Sequence, residues 1–410
     1  MTHDSASRVA IVSKGKVFSA VVCFSGALIE GYDVACAGLT ASKFAQFYGM
    51  DPVQLGTAFS ASTLGMLVGA IIGGLSADRI DRRVVLAIAF MLLGISTLAT
   101  AVAPDTATFI ALRALTGVSI GAAIVTIISV ASALGPDVSR TTRVTMIFSG
   151  MSAGGVVVAL LAAYLKPDYN WRLIFVVGGI APLLLSVVAL WKVPPLLVAA
   201  KKEAVTPVQL FQEGRAVRTV ALWAMCFGTL LTLHLLLNWL PSLVMDFGRT
   251  ARESALVSAA FHFAAITSAW VLAWLVLRRS PRLIFLCCYG GALGGMLLMI
   301  LSQGNLLGLF AGSIAIGFCL NGIQHLIYGV GASLYPAEMV GTGMGFATGV
   351  GRLGSMVGPF IGGLAYALGG GAFGTLLMTV PPIGLALAAS VVMLSEKRSE
   401  AVGPEAVLKS

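Results

Sequence analysis

Residues 84–103 read VVLAIAFMLLGISTLATAVA, twenty positions without a charged side chain, and Arg82 and Arg83 stand directly before them. The hydrocarbon core of a bilayer is about 30 Å thick, and a helix needs roughly 20 apolar residues to cross it. The stretch therefore predicts a transmembrane helix. The whole chain of 410 residues shares this character, since 58% of it is hydrophobic and 10% charged. A soluble domain carries about 25% charged residues, so composition excludes an ordinary soluble protein.

The same length criterion, applied along the chain, predicts an all-α membrane protein with twelve transmembrane helices. The predicted spans are 17–40, 54–77, 84–103, 107–133, 143–165, 172–193, 218–241, 254–277, 281–302, 305–333, 341–367 and 371–395. The first span contains Glu30 and Asp33, is too long for the apolar part of a signal peptide and lacks a small-residue cleavage site. It is therefore expected to remain as the first helix.

The longest polar interval, residues 194–217, separates six spans from the other six. It predicts an N-terminal six-helix bundle over 1–193, a cytoplasmic linker over 194–217 and a C-terminal six-helix bundle over 218–410 that ends in a short cytoplasmic tail. A channel would be expected to have fewer helices or a repeated pore loop. The sequence predicts twelve helices and shows no repeated pore loop.

The distribution of basic residues predicts the orientation of the chain, because loops near span ends carry excess Lys and Arg on the cytoplasmic side. Of the 26 Lys and Arg residues, 19 fall on the side of both termini, 5 fall on the other side, and Arg113 and Arg352 lie inside spans. We therefore expect a multi-pass protein of the cell's inner membrane with both termini in the cytoplasm. This topology accounts for the net charge of +9, so binding of nucleic acid is not expected.

The six cysteines all lie within predicted spans and lack the spacing of metal ligands. Small apolar packing is their expected role. Neither a metal nor another cofactor is predicted, and the expected partners are the lipid bilayer and a small solute carried by a monomer.

The loop after the second span reads GLSADRIDRR over residues 74–83. It resembles the signature loop of the major facilitator superfamily in residue types, in spacing and in position. The family has glycine where this chain has Asp81, and a positive φ costs aspartate more than glycine. We therefore expect the loop to turn differently or to be held by Arg82 or Arg83.

The resemblance implies the two-bundle fold of these carriers, in which the solute binds between the halves and the halves rock about it. It also implies a conformational clasp formed by loop residues Gly74, Asp78, Arg79, Arg82 and Arg83. In such a clasp Asp78 lies at the positively charged N-terminal end of a helix from the other half. Arg140 and Arg143 are its candidate partners.

Four further segments narrow the resemblance: EGYD at 30–33, AFSASTLG at 58–65, RALTG at 113–117 and GVGRLG at 349–354, the last followed by Gly358 and Pro359. Together they resemble the aromatic acid:proton symporter family, and spans one to five are most similar to its hydroxyphenylpropionate carriers. The resemblance covers most of residues 20–365. The glycine-proline pair that marks span five of drug-efflux antiporters is missing. The resemblance thus implies uptake of an aromatic carboxylate together with protons.

A charge at the middle of a span costs about 2.5–3.5 kcal/mol on insertion scales, so such residues are candidates for function. Glu30 and Asp33 are three positions apart and share one face of the first helix. Two carboxylates that share little solvent hinder each other's ionisation, so one of them can hold and release a proton. The alternative is a structural salt bridge with Arg113. In the family these acidic positions bear on transport, which implies a role in proton coupling.

Arg113 and Arg352 come from opposite halves of the chain. A guanidinium can hold a carboxylate through two parallel hydrogen bonds, so both are candidates for binding the substrate. One of them can instead neutralise Glu30 or Asp33, and the sequence does not decide which.

Span ten supplies three further candidates for binding the substrate, Gln324, His325 and Tyr328. The glycines around them predict an interrupted helix, and interrupted helices line transport cavities. Tyr32 in the first span is a fourth candidate, because its ring can stack on an aromatic substrate. The polar groups of His234 and His262 are instead expected to form hydrogen bonds with a neighbouring helix.

The alternative functions differ in what they require of the sequence. A proton-driven exporter of amphipathic small molecules is the alternative within transport. An intramembrane enzyme would need a nucleophile with its base, or metal ligands spaced as in His-Glu-x-x-His, and neither pattern occurs. A sensor that binds without transporting is a third possibility.

Overall fold

The computed structural model describes residues 3–77, 79–133, 140–165, 169–194, 207–276, 278–336 and 339–395. These residues form thirteen α-helices and one short 3-10 helix at Pro207–Phe211, and no strand occurs among them. The helices are α1 His3–Tyr48, α2 Pro52–Ala77, α3 Arg82–Ala101, α4 Thr106–Ala133, α5 Arg140–Tyr164, α6 Arg172–Lys192, α7 Ala216–Asp246, α8 Ala251–Val276, α9 Pro281–Leu301, α10 Leu306–Ala332, α11 Val340–Ala367, α12 Gly371–Leu377 and α13 Val380–Ser395.

Eleven helical segments in the described part of the chain are long and apolar enough to cross a membrane, with α12 and α13 together forming one of them. Helix α11 has the length of a span but is not one of these eleven, and it is rich in glycine and contains Arg352. The predicted last span is broken after Leu377. Pro381 and Pro382 follow the break, and since proline has no N–H they cannot continue the hydrogen-bond ladder of α12.

The prediction that span ten is an interrupted helix is wrong, because α10 runs without interruption from Leu306 to Ala332. Gly322 and Gly331, which predicted a break, serve instead for close packing. A Cβ at Gly322 would collide with Leu272 of α8, and one at Gly331 would lie 2.8 Å from Leu222 of α7. The glycines therefore let neighbouring helices approach, as small residues commonly do in membranes.

Each half of the chain forms its own set of helix contacts. In the first half α1 packs on α5 and α6, α2 packs on α4, and α3 packs on α4 and α6. In the second half α7 packs on α11 and α13, and α10 packs on α8 and α9. Residues 195–206, the greater part of the predicted linker, lie outside the described residues. The position of the domain boundary remains a prediction.

Among the described residues, the main contacts between the halves are those of α2 with α11, α5 with α8, and α1 with α7. Near one end of this interface Trp239 of α7 meets Phe59 of α2 edge to face, with ring centroids 5.7 Å apart. Trp239 also stacks on Tyr366 at 4.8 Å and donates a hydrogen bond of 2.9 Å from Nε1 to the Pro359 carbonyl. These contacts close the end of the interface that contains the start of α2 and the end of α11.

At Asp81, where the family has glycine, the signature loop turns without a positive φ. Asp81 has a φ of −51° and caps α3, since its side chain accepts a hydrogen bond of 3.0 Å from Arg83 N. Its carboxylate also forms a salt bridge of 3.0 Å with Arg83 Nε. The position therefore needs no positive φ, and Arg83 holds the loop. Asp78 lies outside the described residues, as do the side chains of Arg140 and Arg143, so the clasp stays a prediction.

Candidate functional site

Asp33 and Arg113 form a buried ion pair between α1 and α4, with side chains 1% and 3% exposed. Arg113 Nη1 donates to Asp33 Oδ1 at 3.2 Å, and Nη2 donates to Oδ2 at 2.9 Å. Thr97 donates a further hydrogen bond of 3.3 Å to Oδ1. Both prongs of the guanidinium are thus occupied. In this conformation Arg113 is paired with Asp33, as in the salt-bridge alternative.

Glu30 lies one turn earlier on α1 and has a different environment. It is 2% exposed, and neither of its carboxylate oxygens has a hydrogen-bond partner in the structure. An ionised carboxylate is expensive to bury without a partner. Glu30 is therefore suited to bind a proton, or a cationic group that moves towards it.

Arg352 of α11 brings a positive charge to Glu30 from the other half of the chain. It is half-buried and close enough to Glu30 to interact electrostatically with it, as it does with His234 of α7 and Tyr328 of α10. Within the described residues its guanidinium forms no ion pair at 4 Å or less. The charge at this interface is therefore available to an anion.

Gln324 of α10 is the second buried polar side chain without a partner in this region. It is 7% exposed, and neither its amide oxygen nor its amide nitrogen meets a hydrogen-bond partner of ordinary geometry. Tyr328 lies one turn later on the same face of α10, close to both Gln324 and Thr348. We refer to Glu30, His234, Gln324, Tyr328 and Arg352 as the central cluster.

His234 departs from the sequence-based expectation, whereas His262 does contact a neighbouring helix. His234 Nδ1 lies 3.2 Å from the carbonyl of Leu230, in its own helix rather than in a neighbouring one. The ring of His262 packs against Gly155 across the α5–α8 contact, where a Cβ would leave no room for it. His325 is half-buried and, being adjacent to Gln324, points roughly 100° away from it around α10.

Tyr32 faces away from the central cluster. Its hydroxyl donates a hydrogen bond of 3.0 Å to the Ile174 carbonyl of α6, and the residue is 5% exposed. Its ring lies against Gly178, where a Cβ would be 2.9 Å from the ring edge. The structure therefore places Tyr32 inside the N-terminal half against α6, whereas Arg352 is near enough to interact electrostatically with Glu30 of α1 and Tyr328 of α10.

A sequence profile of the Major Facilitator Superfamily matches residues 23–359 and 246–408 of the chain. The chain belongs to the major facilitator superfamily. The 3-(3-hydroxy-phenyl)propionate transporter of Escherichia coli is 34% identical over 379 residues, which cover 92% of this chain and 93% of the relative. The gallate transporter of Pseudomonas putida is 30% identical, with coverage of 92% and 90%.

Solved structures agree with the family's fold. The crystal structure of a D-xylose-proton symporter superposes with a TM-score of 0.77 at 16% identity, covering 92% of this chain and 97% of the other. As a member of the major facilitator superfamily, the protein is a membrane transporter and not an enzyme. Within the central cluster, Glu30 of the first half and Arg352 of the second interact electrostatically across the two halves, and carriers of this superfamily bind their solutes between their halves.

Proposed function

We propose that the protein imports an aromatic carboxylate together with protons, by alternating access of its two halves. The observation that carries this proposal is a buried carboxylate without a hydrogen-bond partner, Glu30, within electrostatic range of Arg352 in the other half, whose guanidinium forms no ion pair within the described residues. The relatives that carry 3-(3-hydroxy-phenyl)propionate and gallate support the class of substrate.

Arg352 is the proposed binding group for the substrate carboxylate. A planar guanidinium matches a carboxylate with two hydrogen bonds, and within the described residues Arg352 has no acidic side chain at ion-pair distance. Arg113, the other candidate, already holds both oxygens of Asp33. In our proposal it contributes by fixing α1 against α4 and would bind substrate only in a state in which that pair opens.

Glu30 is the proposed proton carrier because it competes with the substrate for the same cation. When Glu30 is ionised it partly neutralises Arg352, and when it is protonated the charge of Arg352 is left for the substrate anion. Proton and anion therefore favour each other's binding. Coupling is needed because a negative membrane potential inside opposes entry of an anion by about 2.3 kcal/mol per charge per 100 mV. Asp33 joins this proton path only where Arg113 releases it.

The remaining predicted site residues complete the proposal. Tyr328 is proposed to contact the ring, and Gln324, which lies close to Tyr328, is proposed to offer polar contacts beside it. His325 would join the site only after a rotation of α10. Gly74, Asp78, Arg79, Arg82 and Arg83 are proposed to form the clasp of the signature loop.

We further propose that the protein works as a monomer in the inner membrane with both termini in the cytoplasm. This orientation decides which side of the membrane the closed end of the interface faces. The end of the interface closed by Trp239 is then the outer one. In our proposal the central cluster therefore opens towards the cytoplasm in this conformation.

Binding of acids and of their neutral amides to the purified protein tests the role of Arg352. The wild type should bind 3-(3-hydroxyphenyl)propionate and discriminate against its amide. Arg352→Lys, which keeps the charge but loses the two-pronged geometry, should weaken acid binding, and Arg352→Ala should abolish it with little effect on the amide. Arg282, exposed at the start of α9, provides the matched control, and Arg282→Ala should bind as the wild type does. Equal losses for acid and amide in the Arg352 variants would contradict the assignment.

A further inference from the structure

We propose that Gln324 recognises a hydroxyl group on the substrate ring, so that the protein selects phenolic acids over the same acids without the hydroxyl. This inference rests on the proposed function and specifies its substrate. It starts from an amide that is 7% exposed and makes no hydrogen bond of ordinary geometry at either end, although the Tyr328 side chain lies close to it. Buried polar side chains are nearly always hydrogen-bonded, and an exception calls for a specific explanation.

The chemistry of the amide favours a phenol as its missing partner. A carboxamide offers both a donor and an acceptor, and a phenolic hydroxyl likewise donates one hydrogen bond and accepts others. A carboxylate only accepts, so it would leave the amide oxygen without a partner and would prefer the charge of Arg352. The two ends of a phenolic acid thus match two different groups of the central cluster.

The placement of these groups predicts the orientation of the bound substrate. Tyr328 lies one turn from Gln324 on α10 and is near both Gln324 and Arg352. One helical turn rises about 5.4 Å, which is comparable to a benzene ring with one substituent. In this arrangement a ring beside Tyr328 would direct its carboxylate towards Arg352 and its hydroxyl towards Gln324.

Asn321 provides a matched control on the same helix. Its side-chain nitrogen donates a hydrogen bond of 2.9 Å to the Gly317 carbonyl, one turn earlier in α10. The amide of Asn321 is thus satisfied within its own helix, whereas that of Gln324 is not. Removing the two amides should therefore have different effects on recognition of the ring.

The test compares binding of 3-(3-hydroxyphenyl)propionate and 3-phenylpropionate to purified protein. A site built to hydrogen-bond a hydroxyl discriminates strongly against the analogue that lacks it. The wild type should prefer the hydroxylated acid by about ten-fold or more. Gln324→Leu should reduce this preference to about two-fold or less through loss of affinity for the hydroxylated acid only. Asn321→Leu should keep the wild-type ratio. Gln324→Met, which better retains the length of the side chain, gives the same test if leucine prevents folding.

Two results would overturn the assignment of Gln324. One is a wild type that binds both acids equally, and the other is a Gln324 variant that loses both acids in the same proportion. Either result would leave the proposed uptake of aromatic acids standing, because the wild type would still bind them through Arg352. A wild type that binds neither acid would instead refute the proposed function itself, and the Gln324 assignment with it.

Discussion

Arg113 holds both carboxylate oxygens of Asp33, through hydrogen bonds of 3.2 and 2.9 Å between α4 and α1. The pair separates the roles of the two acidic residues on α1. Asp33 has a fixed cation, whereas Glu30, one turn away, has no hydrogen-bond partner. Of these two carboxylates, Glu30 is therefore the one that can gain or lose a proton in this conformation without breaking an ion pair that the structure shows.

The first prediction concerns the stability of the Asp33–Arg113 pair. Removing one partner of a buried ion pair leaves an uncompensated charge, which typically costs about 3–5 kcal/mol. Arg113→Gln alone should therefore lower the thermal unfolding temperature of the detergent-solubilised protein strongly. The double variant Asp33→Asn with Arg113→Gln should recover much of the loss, since neither charge is then left unpaired.

Arg83 and Asp81 supply the control for this prediction. Their salt bridge has side chains 33% and 26% exposed, and pairs in contact with solvent contribute about 0–1 kcal/mol. Arg83→Gln should accordingly change the unfolding temperature little. An Arg113→Gln variant as stable as Arg83→Gln would mean that the buried pair does not secure α1 to α4.

The second prediction concerns topology. A reporter of cytoplasmic location should be active when fused after Lys202 or at the C-terminus, because these positions lie on the side rich in Lys and Arg. The same reporter inserted near Lys166 or Arg249 should be inactive, and a periplasmic reporter should give the opposite pattern. The reversed result would place the end closed by Trp239 on the cytoplasmic side.

Sequence patterns predicted the helices well because crossing a membrane is a local property of the chain. The apolar stretch 84–103 became α3 at Arg82–Ala101, and charge placement drew attention to Glu30, Asp33, Arg113 and Arg352. The break after Leu377 was missed, although Pro381 and Pro382 were a visible signal for it. The glycines of α10 were misinterpreted, because a glycine that loosens a helix and one that lets a neighbour approach look alike in sequence.

The partners of the buried charges could not be predicted in the same way. Whether Arg113 meets Asp33 or a substrate depends on how α1 and α4 are packed, which no local pattern encodes. The sequence placed Tyr32 at the site, yet its hydroxyl is bound to the Ile174 carbonyl. It missed His234 as a neighbour of Arg352, because a lone histidine in a span carries no signal of what it faces. Gln324 was a candidate by position, and its lack of a partner emerged only from the structure.

The central claim is that proton entry is tied to entry of the acid through Glu30. Its most direct test uses proteoliposomes that contain a pH-sensitive dye, with equal pH inside and outside at the start. The measured quantities are the acidification of the lumen after addition of 3-(3-hydroxyphenyl)propionate and, separately, the exchange of labelled for unlabelled acid at equilibrium. Glu253→Gln is the control, because Glu253 caps the start of α8 through Thr250 and lies far along the chain from the central cluster.

The wild type and Glu253→Gln should acidify the lumen when the acid is added, and faster when the starting pH on both sides is lower, because Glu30 must be protonated for the acid to bind. Glu30→Gln should give no acidification and yet continue to exchange labelled acid, since exchange moves no net proton. Acidification by Glu30→Gln at the wild-type rate per molecule of acid carried would contradict the account.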